Sequence, residues 1–317
     1  MKSIGVDLGG TNIVVAVVEE SGKILTTLTR PTKRERTAEE IFDEIAKMCK
    51  ELIQEYSLDP KSLRGIGVGI PGSIQKKEGV IAYANNLQTT GFKAKAYLEE
   101  RLDYPVMLAN DADCAALGEV IAGGAKGCED AVVFTLGTGV GGGIIIHQKI
   151  FSGYYDGGAE IGHQIIERNG RECSCGNKGW LEAYASATAL IKRAKEVASQ
   201  NPESLLYKKA DQDIKKMNAK IVFDAANEGD SLAKALVEEY IEYLAIGVAN
   251  AINVFKPQVI LIGGGISKQK EALTLPLTKK VEKMVYGRER LTKIKVATLG
   301  NDAGLIGAAM LYKQEEL

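Results

Sequence analysis

Two glycine-rich turns are the parts of this sequence best suited to carry chemistry. The segment 5–12 reads GVDLGGTN and the segment 134–143 reads FTLGTGVGGG, and apolar runs typical of strands flank both. Glycine at such turns lets backbone N–H groups approach an anion closely and point inward as donors. Each turn also carries a threonine, Thr11 or Thr138, and about 130 residues separate the two turns. The pattern predicts two related halves that grip a polyphosphate, and it favours phosphoryl transfer.

Other interpretations of the glycine turns fit less well. The stretches 67–72 and 137–142 match G-x-G-x-x-G, but a dinucleotide site needs a helix directly after the turn, and neither context predicts one. The P-loop pattern G-x-x-x-x-G-K-[ST] does not occur in the sequence. Plain hairpin turns would explain either loop alone, but they explain two threonine-bearing loops less well.

An acidic side chain stands where a predicted strand passes into a predicted helix. Asn110 and Asp111 follow the short apolar strand 105–109, and a helix should begin shortly after them. Asn and Asp are common caps at such a junction, so position alone leaves Asp111 open to a capping or a catalytic role. Asp113 is the nearby competitor, and capping suits Asp113 better.

The elements that position these motifs follow a regular order. Strands are predicted at 2–8, 12–18 and 23–30, and a capping box at 37–40 opens the first helix. Further predicted elements are strands at 65–70, 105–109, 131–136, 144–146, 259–262 and 294–299, and helices at 115–121, 231–255 and 302 to about 312. Three strands followed by alternating helices and strands, run twice, indicate an α/β fold with a mixed sheet in each half.

The length of 317 residues suits two domains. We expect a smaller N-terminal α/β domain of residues 1–118 plus 301–317, closed by the C-terminal helix. The larger α/β domain would take residues 119–300 and contain the Cys-x-Cys loop. The expected hinges lie near 118–124 and 300–301.

Composition narrows the class of protein. The sequence is 45% apolar and 26% charged, with no apolar run near the ~20 residues that a spanning helix needs. A net charge of −1 gives no general reason to bind nucleic acid. Five cysteines, with the first strand entered at once and no secretory leader, favour a reducing compartment. We therefore expect a soluble cytoplasmic protein with no nucleic-acid or membrane partner.

Taken together, these segments resemble the sugar kinases of the ROK family (repressors, open reading frames and kinases). The resemblance covers essentially the whole chain, and its most specific part is GAEIGH at 158–163 followed by CSCGNKGWLE at 173–182. The other motifs that carry it are the segments 7–12, 110–112, 136–143 and 263–267. The resemblance implies the fold of actin and hexokinase, with two ribonuclease H-like domains whose mixed sheets flank a central cleft.

The resemblance also implies an activity, which is ATP-dependent phosphorylation of a hexose, with glucose first, at the 6-hydroxyl. Asp111 would be the general base, and Asp7 would orient Mg²⁺, since a hard cation prefers oxygen ligands. The residues implied in holding ATP are Asp7, Gly9, Gly10, Thr11, Asn12, Gly137, Thr138, Gly139, Gly263, Gly264 and Gly265.

Side chains that resemble the family's sugar contacts are spread over both halves. Carboxylate, amide and imidazole groups suit a hexose, whose hydroxyls both donate and accept. The residues implied are Gly72, Asn86, Asn110, Asp111, Glu160, His163 and Glu182. The other histidine, His147, follows a strand and carries no motif, so we predict a structural role for it.

The sequence departs from the family at its structural zinc site, which resembles one histidine with three cysteines. His163, Cys173 and Cys175 remain, but Trp180 stands where the third cysteine is expected. Structural zinc normally takes four ligands, so water or another residue would have to complete this set, or Trp180 fills the gap by packing. We expect less than one zinc per chain. The remaining cysteines, predicted to be core residues, are Cys49, Cys114 and Cys128.

Several alternatives stay open within the family. The cysteine loop resembles the glucokinase and amino-sugar kinase branches more than the fructokinase branch. N-acetylmannosamine, N-acetylglucosamine, allose and mannose therefore remain possible substrates. A repressor is disfavoured because the first strand begins at Lys2 and Asp111 is intact, while Trp180 keeps open a catalytically silent sugar-binding protein. A homodimer is the family-level expectation.

Overall fold

The first 110 residues of the chain build a five-stranded sheet and a separate hairpin. The computed structural model describes residues 1–59, 62–84, 87–173, 176–288 and 291–316. The strands of this region are β1 (Lys2–Leu8), β2 (Asn12–Glu19), β3 (Ile24–Pro31), β4 (Leu63–Ile70), β5 (Ser73–Gln75), β6 (Val80–Tyr83) and β7 (Val106–Asn110). The sheet has the order β3-β2-β1-β4-β7, and β5 pairs with β6.

Three neighbouring strands of this sheet run in the same direction. Strand β1 is antiparallel to β2 but parallel to β4, and β4 is parallel to β7. Asp7 lies opposite Gly69, and Ile70 lies opposite Asn110. The carboxyl ends of β1, β4 and β7 therefore reach the same edge of the sheet, which is where ligands bind in open α/β sheets.

Three helices belong to this region, and α1 and α3 begin at side-chain caps. They are α1 (Ala38–Glu55), α2 (Ala94–Leu102) and α3 (Asp111–Ala122). The predicted capping box is confirmed, because Glu40 N–H donates to Thr37 Oγ1 at 3.2 Å and Thr37 N–H donates to Glu40 Oε2 at 2.8 Å. The apolar face of α1, with Ile41 and Ile45 fully buried, joins the same core as the inner residues of β1 and β2.

A second five-stranded sheet and most of the remaining helices follow. Its strands are β8 (Ala131–Leu136), β9 (Val140–Ile146), β10 (Lys149–Ile150), β11 (Val259–Gly263) and β12 (Lys293–Val296), in the order β10-β9-β8-β11-β12. The helices are α4 (Glu182–Ala185), α5 (Ala187–Gln200), α6 (Leu205–Lys209), α7 (Ala219–Asn227), α8 (Ser231–Phe255), α9 (Glu271–Met284), α10 (Asp302–Ala309) and α11 (Lys313–Glu316). Among the described ranges, every helix is too short or too polar to span a lipid bilayer.

Helix α10 packs directly against backbone rather than against side chains. A Cβ atom added at Gly5 of β1, at Gly67 of β4 or at Gly307 of α10 would overlap the backbone of the facing element. Only glycine permits so close an approach. Helix α10 is therefore a central part of the layer behind the first sheet.

Contacts divide the chain into two compact units. Unit 1 is Met1–Val132, Gly143–Ala159 and Ala297–Leu317, and unit 2 is Val133–Gly142 and Glu160–Val296. The predicted boundary at 118 falls inside α3, which continues to Ala122. The buried carboxylate of Glu119 also accepts from the backbone N–H groups of Gly124 and Leu299, so these residues belong with unit 1.

The predicted elements are largely confirmed, and the differences are local. Helix α8 has the predicted bounds. Helix α3 begins at Asp111 instead of 115, and the strand predicted at 294–299 is β12, which ends at Val296. The final predicted helix ends at Ala309 instead of about 312. Several elements were not predicted, namely the hairpin β5–β6, strand β10 and helices α2, α4, α5, α6, α7 and α9.

Candidate active site

The edge formed by β1, β4 and β7 collects the predicted residues of unit 1. Asp7 lies near the end of β1, Gly72 follows β4, and Asn110 ends β7 next to Asp111. Asn110 Nδ2 donates to the carbonyl oxygen of Gly72 at 3.0 Å, which ties the two loops together. A Cβ atom added at Gly304 of α10 would lie 3.8 Å from Asp7 Oδ2 and 3.9 Å from the Asp111 carbonyl oxygen. Four predicted site residues are thus grouped at one edge.

Asn110 caps the N-terminus of α3. Its Oδ1 accepts from the N–H of Ala112 at 2.8 Å, and Asp111 Oδ1 accepts from the same N–H at 3.0 Å. Asp111 is exposed. The two alternatives for Asp111 are therefore not exclusive, since a neighbouring amide supports the helix end and the carboxylate remains accessible to a ligand.

Asp113 is not a cap, which corrects the prediction. Its side chain is only 4% exposed, and its Oδ2 lies 3.1 Å from the Lys76 Nζ. The backbone N–H of Lys76 donates to Asp156 Oδ2 at 2.8 Å, and Ser152 Oγ donates to Asp156 Oδ1 at 3.0 Å. An ion pair between the half-buried Lys76 and the buried Asp113 thus joins the loop after β5 to the first turn of α3. We call Asp7, Asp111 and Asp113 the carboxylate cluster.

The electrostatics around Asp7 suit a cation bound by this one carboxylate. Burial, together with the negative charge of Asp111, raises the pKa of Asp7 to about 6. Burial also raises the pKa of Asp113, and the Lys76 ammonium opposes that shift. A carboxylate whose ionisation is disfavoured by burial becomes a good ligand once a cation neutralises it. The oxygen donors present therefore fit Mg²⁺, with Asp7 as the residue that would hold it.

The first glycine turn is held by residues that the sequence did not reveal. Thr32 Oγ1 donates to the Gly9 carbonyl oxygen at 2.6 Å, and Arg34 Nε donates to the Gly10 carbonyl oxygen at 2.7 Å. A Cβ atom at Gly10 would lie 2.6 Å from Arg34 Nη2, so a larger residue there would displace the guanidinium. The carbonyl oxygens of Gly9 and Gly10 therefore already accept hydrogen bonds within the protein, and the Arg34 guanidinium lies beside the turn.

The second glycine turn is bound to Glu182 within unit 2. Glu182 Oε2 accepts from the Val140 N–H at 2.9 Å, and a Cβ atom added at Gly139 would overlap that oxygen. The Gly137 carbonyl oxygen accepts from the N–H of Ala187, the first residue of α5, at 2.9 Å. Thr138 is exposed at the tip. A predicted sugar ligand and a predicted phosphate loop are thus in direct contact.

A cavity of about 730 Å³ opens beside this turn, within the size range of ligand pockets. Both Thr138 and Glu182 line it, together with Cys173 and the basic side chains Arg171 and Lys192. Three glutamates, Glu172, Glu182 and Glu196, balance the basic side chains of the lining, and walls of this mixed charge suit a polyhydroxylated ligand.

The other two predicted sugar residues of unit 2, Glu160 and His163, lie beside Trp180, and we call these three residues the imidazole cluster. Glu160 Oε2 lies 2.9 Å from His163 Nδ1, and the His163 ring centroid lies 4.2 Å from that of Trp180. Gly162 is required before the histidine, because a Cβ atom there would overlap the Val140 carbonyl oxygen. The remaining predicted sugar contact, Asn86, lies outside the described residues.

The cysteine loop contains one described member of the predicted zinc set besides His163. Cys173 is buried, and its Sγ donates to Glu182 Oε1 at 3.3 Å. Cys175 lies outside the described residues. No group of three His, Cys, Asp or Glu side chains within the described ranges could hold a metal ion, so those residues do not fit the four-ligand zinc of the family. Of the cysteines predicted to be core, Cys49 and Cys114 are buried, but Cys128 is only half-buried because it sits in a surface turn.

The third predicted nucleotide turn follows β11. Gly263 ends the strand, Gly264 has a positive φ of 80°, and Gly265 begins a short 3₁₀ turn. A Cβ atom at Gly264 would overlap the Leu136 carbonyl oxygen. This turn therefore packs on the end of β8, next to the second glycine turn.

Comparison with known proteins decides the family. The ROK family profile matches residues 3–315. The chain belongs to the ROK family. A glucokinase from Thermotoga maritima is 40% identical over 316 residues, which is 99% of this chain and 98% of the relative. The ROK family therefore accounts for the order of all the motifs along the chain, and its members have the actin and hexokinase type of fold seen here.

Solved structures of ROK proteins agree with this fold. A ROK family glucokinase from Streptomyces griseus, in complex with glucose and AMPPNP, matches with a TM-score of 0.80 and 34% identity over 99% of this chain and 100% of its own. A ROK hexokinase from Thermus thermophilus matches with a TM-score of 0.84 and 31% identity over 100% of this chain and 99% of its own.

Proposed function

We propose that this chain is an ATP-dependent hexokinase that phosphorylates glucose at its 6-hydroxyl. The observation that carries the proposal is the exposed carboxylate of Asp111 at the start of α3, beside the half-buried Asp7 and the Asn110–Gly72 contact. The Thermotoga maritima relative is named a glucokinase, and the Streptomyces griseus relative binds glucose and AMPPNP. Both relatives support glucose as the substrate and ATP as the donor.

In the proposed reaction, the Asp111 carboxylate takes the proton of the 6-hydroxyl as that oxygen attacks the γ-phosphorus. The bond between the γ-phosphorus and the bridging oxygen breaks, and ADP leaves with the electron pair. Mg²⁺ would neutralise charge on the phosphates when bound at Asp7. Backbone N–H groups and hydroxyls of the turns at 9–12 and 137–139 would bind the phosphate oxygens. We propose that both units serve this single reaction.

Residues of unit 2 supply the proposed sugar contacts. Glu160 and His163 offer a carboxylate and an imidazole, and Glu182 offers a second carboxylate that already accepts from the Val140 N–H. A sugar hydroxyl can donate to these oxygens and accept from the imidazole. Cytoplasmic location and assembly as a homodimer stay predictions.

The test is ADP release measured across a panel of hexoses for the wild type, Asp111→Asn and a matched control. The control is Asp103→Asn, since Asp103 is exposed and has a φ of 56°, which asparagine tolerates. Loss of a general base should lower kcat by about 10²- to 10⁴-fold in Asp111→Asn, while the control keeps wild-type turnover. Absence of sugar-dependent turnover in the wild type would refute the kinase.

A second candidate is a kinase for another hexose or an amino sugar. The Thermus thermophilus relative is named a hexokinase, with no single sugar specified. The same panel includes mannose, allose, N-acetylglucosamine and N-acetylmannosamine. A higher kcat/KM for one of these than for glucose would assign the chain to that substrate.

A further inference from the structure

The imidazole of His163 is contacted by two different kinds of group. Its Nδ1 lies 2.9 Å from Glu160 Oε2, and its ring lies 4.2 Å from that of Trp180, with 51° between the ring planes. The carboxylate restrains one nitrogen, and the indole covers part of the ring. Because Nδ1 is engaged by Glu160, Nε2 is the nitrogen that can exchange a hydrogen bond with a sugar hydroxyl.

The backbone of Trp180 and of the residue after it is held by hydrogen bonds. Trp180 forms an antiparallel bridge with Ile165, and the next residue, Leu181, donates its N–H to the Gln164 carbonyl oxygen at 3.0 Å. The Trp180 carbonyl oxygen accepts from the Ala183 N–H at 3.0 Å. His163 and Trp180 therefore lie on two segments joined by backbone hydrogen bonds, which fixes the distance between the rings.

The contacts around His163 disagree with a metal-held loop. Trp180 offers one N–H donor and no lone pair for a metal ion. His163 Nδ1 is engaged by Glu160, and Cys173 Sγ donates to Glu182. Because Trp180 takes the place of one of the four zinc ligands, we infer that the contacts with Glu160 and Trp180 orient the imidazole.

We propose that Trp180 is a positioning residue, which holds the His163 imidazole in the orientation for sugar binding that a metal site would otherwise impose. The inference rests on the proposed function, because it concerns the sugar site of that reaction. A tilted aromatic contact restricts rotation of the imidazole before the sugar arrives, and such preorganisation strengthens binding.

Trp180 is the single tryptophan in the sequence, so its fluorescence reports this site alone. Glucose added to the nucleotide-free wild type should change the Trp180 emission, with a Kd that matches calorimetric titration. Emission that ignores a saturating glucose concentration would contradict the proposed closeness of the indole to the sugar site.

Substitutions at Trp180 measure its contribution. By calorimetry, Trp180→Leu should weaken glucose binding about tenfold, and Trp180→Phe should stay within about threefold, because phenylalanine keeps an aromatic face. The KM for glucose should rise in parallel in Trp180→Leu, while kcat changes less than the KM does.

A double-mutant cycle separates positioning from general support of the loop. If Trp180 acts through the imidazole, then Trp180→Leu should cost less than about twofold in glucose affinity when it is introduced into His163→Gln. An equal loss in both backgrounds would assign Trp180 a purely structural role and overturn the inference.

Measurement of bound zinc is the last test of this inference. Dialysed wild type should contain less than one zinc per chain, and a zinc chelator should leave the glucose Kd unchanged. Stoichiometric zinc whose removal weakens glucose binding would overturn the inference. A wild type that neither binds nor phosphorylates any hexose would overturn the proposed function as well, whereas unchanged affinity in Trp180→Leu beside normal wild-type turnover would overturn this inference alone.

Discussion

The carboxylate cluster and the imidazole cluster are built in opposite ways. Asp7 and Asp111 lie at or near the ends of regular elements, and the partly buried pair of Lys76 with Asp113 braces the first turn of α3. The imidazole cluster lies outside the regular strands and α-helices, at positions 160, 163 and 180, with Glu160 65% and His163 34% exposed. Groups that would do chemistry are thus fixed by the core, while groups that would recognise the sugar are fixed by local loop contacts.

This difference makes energetic sense. A general base loses rate when it moves by a fraction of an ångström, so a rigid strand end and helix start suit it. Sugar contacts on a loop can differ between relatives without disturbing the core. Removal of one partner of an ion pair should therefore lower the free energy of unfolding in the carboxylate cluster. In the imidazole cluster it should mainly weaken sugar binding.

The largest effect on stability is expected from Lys76→Met. Removal of the ammonium leaves Asp113 buried without its partner, which should lower the free energy of unfolding by about 3–5 kcal/mol in urea titrations. The adjacent exposed Lys77→Met is the matched control and should cost less than about 0.5 kcal/mol. Addition of Asp113→Leu to Lys76→Met should restore much of the loss. Equal stability of the two lysine variants would contradict the bracing role.

A pH-dependent effect is expected from Asp7→Asn. Because the pKa of Asp7 is raised to about 6, the folded protein retains this proton while the unfolded chain loses it near pH 4. The carboxylate therefore lowers stability progressively from pH 4 to 6, and fully above pH 6. Without Mg²⁺ or nucleotide, Asp7→Asn should be roughly 1–2 kcal/mol more stable than the wild type at pH 8, after allowance for partial exposure.

The two proteins should converge below pH 4, where the wild-type side chain is neutral as well. Urea unfolding at several pH values measures the difference, and a gap that is independent of pH would speak against a repelled carboxylate. The same substitution should lower kinase activity, because it removes the ligand assigned to Mg²⁺.

An intermediate effect, confined to unit 2, is expected from Gly139→Ala. The new methyl group would displace the Glu182 carboxylate from the Val140 N–H. We expect the KM for glucose to rise about tenfold, which is the loss of about one hydrogen bond to a charged group. Glu182→Gln should produce a similar KM, and the double variant should add little to either. Fully additive losses would show that Gly139 acts independently of Glu182.

The smallest effect on stability is expected from Glu160→Gln. Its ion pair with His163 is largely exposed, so the free energy of unfolding should change by less than about 0.5 kcal/mol. The free energy of glucose binding should change more than the free energy of unfolding does. A loss above about 2 kcal/mol in urea would erase the contrast with Lys76→Met.

The sequence predicted what local signals encode. Strand patterns, the capping box at Thr37 and the bounds of α8 were all readable from neighbouring residues. The partner of Asp113 was not, because Lys76 lies 37 positions away and nothing in its surroundings marks it. Arg34 behind the first glycine turn was missed for the same reason. Trp180 could be flagged only as a departure from the family pattern, since its contact with His163 depends on how two loop segments pair.

The glycine-lined seat of α10 has a consequence for synthesis on the ribosome. Helix α10 comes from residues 302–309, yet it fits against β1 and β4, which are made first. Until residues 302–309 are made, the early strands must wait with one face uncovered, while residues 160–296 have already been synthesised. Chaperone dependence during translation should accordingly be greater for unit 1 than for unit 2, although the strands β1 and β4 of unit 1 are made before unit 2.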